Sequence, residues 1–485
     1  MDNLRIIMGG APEGFDAKLL ARELEKGRPV IHIARDDKRA EAMRAALAFL
    51  APQVVVLDFP AWDCLPYDRV SPNPDTAARR MATLAALAHG VPGAFVLITT
   101  VSAAMQQVPS RDVVAASSFR AQVGNRVDEA GLRSFLARMG FTPVPTVAEP
   151  GDCAFRGGIV DIYPPGPQGP VRLDFFGDVL DGIRRFDAET QRTTDKLSFI
   201  EIAPVSEVIL DEASIVRFRQ NYRLEFGAAG TDDPLYEAVS AGRKHQGMEH
   251  WLPFFHDRLE PLFSYLPDAT VTMDDQGLPA LDSRWEGIAD QYDARREAMA
   301  HKGRMDTVYK PSPPGCLYLD PDRFAEVLRG RRVIQFSPNR QPPGPGVLDA
   351  GGRAGRSFAP ERQQENVNLF EALAQHLRAM REGSQVLIAS WSEGARERLR
   401  GLLEDQGLAA TEVADARAIP EGKGGLFLGI WALESGFEAP GLTVISEQDV
   451  LGDRLAARPR RKRKAENFIQ DLGGLSPGDL VVHVE

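Results

Sequence analysis

Over its first 118 residues the chain alternates short apolar runs with helically spaced segments, and few architectures accept that order. The runs at 29–34, 53–59 and 94–100 read as strands, and 36–50 and 75–89 read as helices between them. Strands separated by helix-length crossovers pair in parallel, so the alternation predicts a parallel sheet covered by helices. Asp75 follows Asn73-Pro74 and is read as the N-cap of the second helix. From 119 to 207 the character changes to short β-rich segments around one helix at 128–139. Pro143, Pro145, Pro150, Pro164, Pro165, Pro167 and Pro170 exclude long helices there. This stretch is expected to be a small α+β insert. Residues 208–343 carry helical and loop patterns ending in a strand at 332–336 that is placed to rejoin the first sheet.

A Pro/Gly-rich linker is expected at 344–356, and a second, smaller α/β unit at 357–451, with a helix at 361–382, a strand at 385–390, a helix at 392–406 and a strand at 425–431. Residues 452–474 read as a linker containing the basic run Arg458 to Lys464, where like charges in series repel and stay solvated, the alternative being contact with DNA phosphates. Residues 475–485 read as the first strand of a further unit that is then cut off.

Composition bounds the function classes. The 485 residues are 43% apolar and 26% charged with a net charge of −11, so attraction to nucleic acid is not written into the whole chain. Cys64, Cys153 and Cys316 lie far apart and form no metal-ligand spacing, which fits a reducing cytosol. A cytoplasmic protein without metal or cofactor is expected, since no signal-like start or long apolar run occurs.

A phosphate loop would be expected at Gly9-Gly-Ala-Pro-Glu-Gly14-Phe15-Asp16. Such a loop needs Lys for the β/γ oxygens and Ser or Thr for Mg²⁺, yet Phe15 and Asp16 fill those places, and an aspartate repels a triphosphate. No catalytic residues are expected. His245, His250 and His256 lie five and six residues apart, a spacing unsuited to zinc on a helix.

Residues 153–187 read instead as a sheet that displays arginines. In the hairpin, Val171, Leu173 and Phe175 share one face, with Gly177-Asp178 as the turn. A two-residue turn sets Asp174 opposite Asp181, and a three-residue turn sets Arg172 opposite Arg184. Either register leaves a like-charge pair that a partner's opposite charge would relieve, unless the arginines stay solvated or pair with neighbouring aspartates. Arg184 and Phe186 share a face, and such residues dominate protein interfaces. With 10 basic and 13 acidic residues, 119–207 is no general DNA-binding patch.

The segments Phe59-Pro-Ala-Trp-Asp-Cys-Leu-Pro-Tyr-Asp-Arg-Val-Ser-Pro-Asn-Pro-Asp75, Arg156-Gly-Gly-Ile-Val-Asp-Ile-Tyr-Pro164, Arg172-Leu-Asp-Phe-Phe176, Phe186-Asp187, Phe263-Ser-Tyr-Leu-Pro267 and Ser446-Glu-Gln-Asp-Val-Leu-Gly-Asp-Arg454 carry a likeness. In order along the chain, they resemble the N-terminal region of the bacterial transcription-repair coupling factors (Mfd). The resemblance implies a degenerate helicase-like domain homologous to UvrB, split by an inserted UvrA-binding domain, then a small α/β domain of unclear role. It further implies that an RNA polymerase-binding domain and an ATP-dependent DNA translocase follow in the full-length protein. Contact between the UvrA-binding surface and the distant C-terminal portion is also implied. Arg156, Arg172, Arg184 and Phe186 become the candidate UvrA contacts, with Arg185 a weaker one, and Gly9, Gly14, Phe15 and Asp16 an inactive phosphate loop. The rival reading is a nucleotide-dependent DNA helicase or UvrB-type damage-binding protein.

Overall fold

The computed structural model describes residues 5–166, 169–227, 233–300, 309–364 and 366–452. The basic run at 458–464 and the strand expected at 475–485 lie outside the described residues. A seven-stranded sheet forms the first layer, in the order Val347–Asp349, Arg5–Gly9, Val333–Phe336, Thr270–Met273, Val30–Ala34, Phe95–Thr100, Val55–Phe59. Every neighbouring pair is parallel. Val30–Ala34 and Phe95–Thr100 are buried along their whole length, as strands covered by helices on both faces must be. Ile334 pairs with Ile6 on one side and Thr272 on the other, so two strands from beyond residue 208 return into the middle of this sheet. The strand Thr270–Met273 escapes sequence reading because four residues offer too little periodicity.

The helix Pro74–His89 is capped by Asn73, whose side chain accepts from the Asp75 amide, rather than by Asp75. Proline suits the first helical position because the N–H it lacks has no intrahelical partner there. Among the described residues no helix is long and apolar enough to cross a membrane.

Residues 119–207 form a second body. Its six-stranded sheet runs Thr193–Leu197, Val179–Phe186, Val171–Phe176, Ile159–Ile162, Asp152–Arg156, Thr142–Pro143. Val160, Ile162, Val171, Leu173, Leu180 and Ile183 on the inner face pack on Leu132 and Leu136 of the helix Glu129–Arg138. The helix starts at Asp128, which accepts from the amides of Ala130 and Gly131. Entry and exit are joined where Phe119–Gln122 pairs antiparallel with Phe199–Ile202. Just beyond, the carboxylate of Glu207 takes the fully buried Arg80, whose guanidinium lies 4.1 Å from the Phe59 ring centroid. That ion pair anchors the insert to the first sheet.

The third body has the sheet order Arg353–Ala354, Phe437–Ala439, Leu442–Ser446, Gln385–Ser390, Leu426–Ile430, Thr411–Val413. The helix expected at 361–382 is two, Ala359–Gln363 and Leu369–Arg381, because Asn368 caps a new start. Nor is 344–356 a free linker. Val347–Asp349 completes the first sheet and Arg353–Ala354 the third body's, so both sheets draw on one short segment. The two bodies share a core in which Phe15, Phe49, Trp431, Leu433 and Phe437 meet, with Trp431 stacked on Phe49 at 5.3 Å.

Candidate protein-docking surface

The strand Arg5–Gly9, the glycine loop and the helix Phe15–Leu24 have the order of a phosphate site, but its space is filled by the chain itself. The Gly10 amide donates to the Asn339 carbonyl at 3.0 Å and the Ala11 amide to the Ser337 carbonyl at 2.8 Å. A Cβ on Gly9 would meet the Gln341 amide nitrogen at 2.9 Å, and one on Gly14 would meet Phe437 at 2.9 Å. Phe15 is buried against Phe437, with ring centroids 5.9 Å apart. Asp16 accepts from the amides of Gly14 and Ala17 and pairs with Arg39. Arg39 also lies 3.3 Å from Asp274, which in turn accepts from the Arg35 amide. Burial works against the Arg39 charge, but Asp16 and Asp274 outweigh it and hold the guanidinium protonated. An arginine thus stands between the two carboxylates, where a phosphate site would place a metal ion and its anion.

The outer face of the six-stranded sheet is different in kind. One row across it is Arg156, Ile159, Asp174, Gly182. The next is Ala154, Asp161, Arg172, Arg184, Lys196. The hairpin closes through a two-residue turn, since Phe176 pairs with Val179, and Gly177 takes φ 64° as such a turn requires. Phe175 pairs with Leu180 but Asp174 with Gly182, so Asp181 is an extra residue and the register shifts by one. The short turn and the Arg172–Arg184 pairing therefore coexist.

The like-charge pair is relieved from within, by neighbouring aspartates. Arg172 binds Asp161 through two bonds of 2.7 and 2.8 Å, and Asp161 is buried. Donating to the Asp161 carboxylate holds the Arg172 proton more tightly than usual. Arg184 turns to Asp174 at 2.7 Å, across the space that Gly182 leaves empty.

The sequence-derived candidates separate on this face. Arg156 is exposed and bonds the Pro145 carbonyl, and Arg184 is 40% exposed. Arg172 is mostly buried beneath its pair. Arg185 is half-buried opposite Val171. Phe186, expected as an exposed anchor, is only 3% exposed, packed with Val147 and Ala154 and lying 5.1 Å beneath the Arg172 guanidinium. It supports Arg172 rather than facing solvent. The exposed aromatic is Phe176, 81% accessible at the hairpin tip, with Ile159 also partly open. Sequence reading passed over Phe176, although alternation from the inward Phe175 already points it outward. Beside Arg184, Lys196, Asp174, Asp181 and Val123 line a groove of 530 Å³.

The three histidines do not converge. His245 faces the Gln246 carbonyl, His256 the Glu207 carbonyl, and His250 lies edge-on to Trp62, where burial pushes its pKa down to about 4.

Residues 119–207 match the model of the UvrB interaction domain, and residues 380–450 match that of the MFD D3 domain. The transcription-repair-coupling factor of Escherichia coli K12 is 31% identical over 476 residues, covering 97% of this chain and 40% of that protein. The chain corresponds to the N-terminal region of the transcription-repair coupling factors. The factor from Haemophilus influenzae is 29% identical over 99% of this chain, and that from Bacillus subtilis 24% identical over the whole of this chain and 42% of that protein. The chain spans about two fifths of the length of these relatives.

Proposed function

We propose that this chain is the non-catalytic recruiting part of a transcription-repair coupling factor, and that it binds UvrA through the outer face of the sheet at 142–197. The observation that carries this reading is the exposed Phe176 on the same sheet face as Arg184 and Arg156, on a unit that matches the UvrB interaction domain. An exposed aromatic and arginines on one face are the composition of an interface hot spot. Arg172 acts as a positioning residue, held by Asp161 and Phe186. UvrA then supplies carboxylates for Arg156 and Arg184 and an apolar pocket for Phe176.

The glycine loop supports a recruiting rather than an ATP-consuming role, because its Gly10 and Ala11 amides are already spent on carbonyls and Asp16 on Arg39. RNA polymerase, DNA and translocation belong to other parts of the full-length factor in this reading. A direct test is calorimetric titration of UvrA into the chain without nucleotide. Saturable binding at one UvrA protomer per chain is expected. Heat only on adding ATP to the chain alone would favour the helicase reading.

A further inference from the structure

The helix Glu212–Phe226 buries Ser214, Phe218 and Tyr222 and turns the opposite face outward. At helical spacing that outer face reads Glu212, Val216, Arg219, Gln220, Arg223 and Leu224. Leu224 is 84% exposed and Val216 47%, an unusual exposure for two apolar residues on a well-capped helix. A groove of 540 Å³ runs beside them, lined by Val216, Arg219, Gln220, Asn221, Arg223 and Leu224. The helix's other arginine, Arg217, is held by Asp257 through bonds of 2.6 and 3.2 Å. Among the described residues Arg219 and Arg223 have no carboxylate partner, and Arg223 instead lies 5.5 Å from the Tyr236 ring centroid.

We infer that this helix face is a second docking surface, distinct from the sheet at 142–197, and that it takes an acidic amphipathic helix from a protein partner. Charge complementarity sets the partner's sign, since two guanidiniums face outward with no carboxylate within ion-pair distance among the described residues, while Glu212 and Glu225 lie at the two ends of the helix. The apolar pair sets its class. Val216 and Leu224 lie two turns apart, which matches apolar residues at every second turn of a docked helix, with carboxylates on either side meeting Arg219 and Arg223. A nucleic-acid surface would surround the arginines with further cations rather than with leucine and valine.

The test uses a fluorescein-labelled synthetic helix of Leu-Glu-Glu-Leu-Leu-Glu-Glu repeats, with a labelled 20-base-pair DNA as the alternative ligand, in fluorescence anisotropy on the full chain. The peptide is expected to bind, and Arg219→Glu with Arg223→Glu to abolish binding. Leu224→Ser removes apolar contact alone and is expected to weaken it about tenfold. The UvrA affinity of these variants should match that of the unaltered chain, which also shows that they fold. Failure of the peptide to bind, binding that survives the charge reversal, or DNA binding lost by the same reversal would each overturn the inference.

Discussion

At the scale of single residues, the outer face of the insert divides into side chains open to solvent, such as Phe176, and side chains that hold others in place. Arg172 belongs to the second group, and removing it strands the buried Asp161 carboxylate. Arg172→Ala is therefore expected to lower stability by about 2 kcal/mol in urea unfolding, with UvrA binding falling as a consequence. Phe176→Ala should leave the urea midpoint within about 0.5 kcal/mol of the parent while weakening UvrA binding about tenfold or more. The arginines were legible in the sequence because their spacing on alternating strands fixes their face. Phe186 was not, because the chain around Val147 that covers it comes from 39 residues upstream and no local pattern announces it. Phe176 carried a readable signal in the Phe-Phe-Gly-Asp sequence, since one of two adjacent strand residues must face outward before a turn.

At the scale of elements, register decides which charges meet. Turn length alone left two alternatives, and the inserted Asp181 combines the turn of one with the pairing of the other. A bulge of one residue changes no hydrophobic pattern strongly enough to be read in advance. The absent side chain at Gly182 is part of the same arrangement, because a Cβ there would sit 3.3 Å from the Asp174 carboxylate. Gly182→Val should push Asp174 aside, free Arg184 and reduce UvrA affinity several-fold, with circular dichroism unchanged.

The turn Met248–Trp251 shows a different dependence, on pH. His250 is buried with its pKa near 4, below the ordinary 6.5, so the unfolded chain binds its proton first as pH falls. Its contribution is complete above pH 6.5 and is lost on going down toward pH 4, amounting to roughly 3 kcal/mol. His256 is pushed in the same direction by burial. A His250→Phe variant should show a shallower fall of the urea midpoint over that window.

At the scale of the whole molecule, the alternation of the first 118 residues and the return of the strand near 333–336 were legible from pattern alone. The joining of the first and third bodies was not, because it rests on aromatic residues far apart in sequence. Phe437 and Leu433 close over Gly14 and Phe15, and the segment 347–354 ties the two sheets together, Val347–Asp349 pairing in one and Arg353–Ala354 in the other. The third body thereby packs over the glycine loop, whose Gly10 and Ala11 amides are satisfied by the Asn339 and Ser337 carbonyls. Phe437→Ala should cost about 3 kcal/mol and lower the unfolding midpoints of both bodies together, read by tryptophan fluorescence for Trp431 and by hydrogen exchange in the first sheet.

In the proposed function one surface carries recruitment without help from nucleotide. Equilibrium binding of UvrA to the chain, compared with its Phe176→Ala, Arg184→Ala double variant in the presence and absence of ATP, measures that claim most directly. Tight binding by the parent chain is expected, with a loss of about a hundredfold or more in the double variant and no effect of ATP on either affinity. Unchanged affinity in a folded double variant would contradict it.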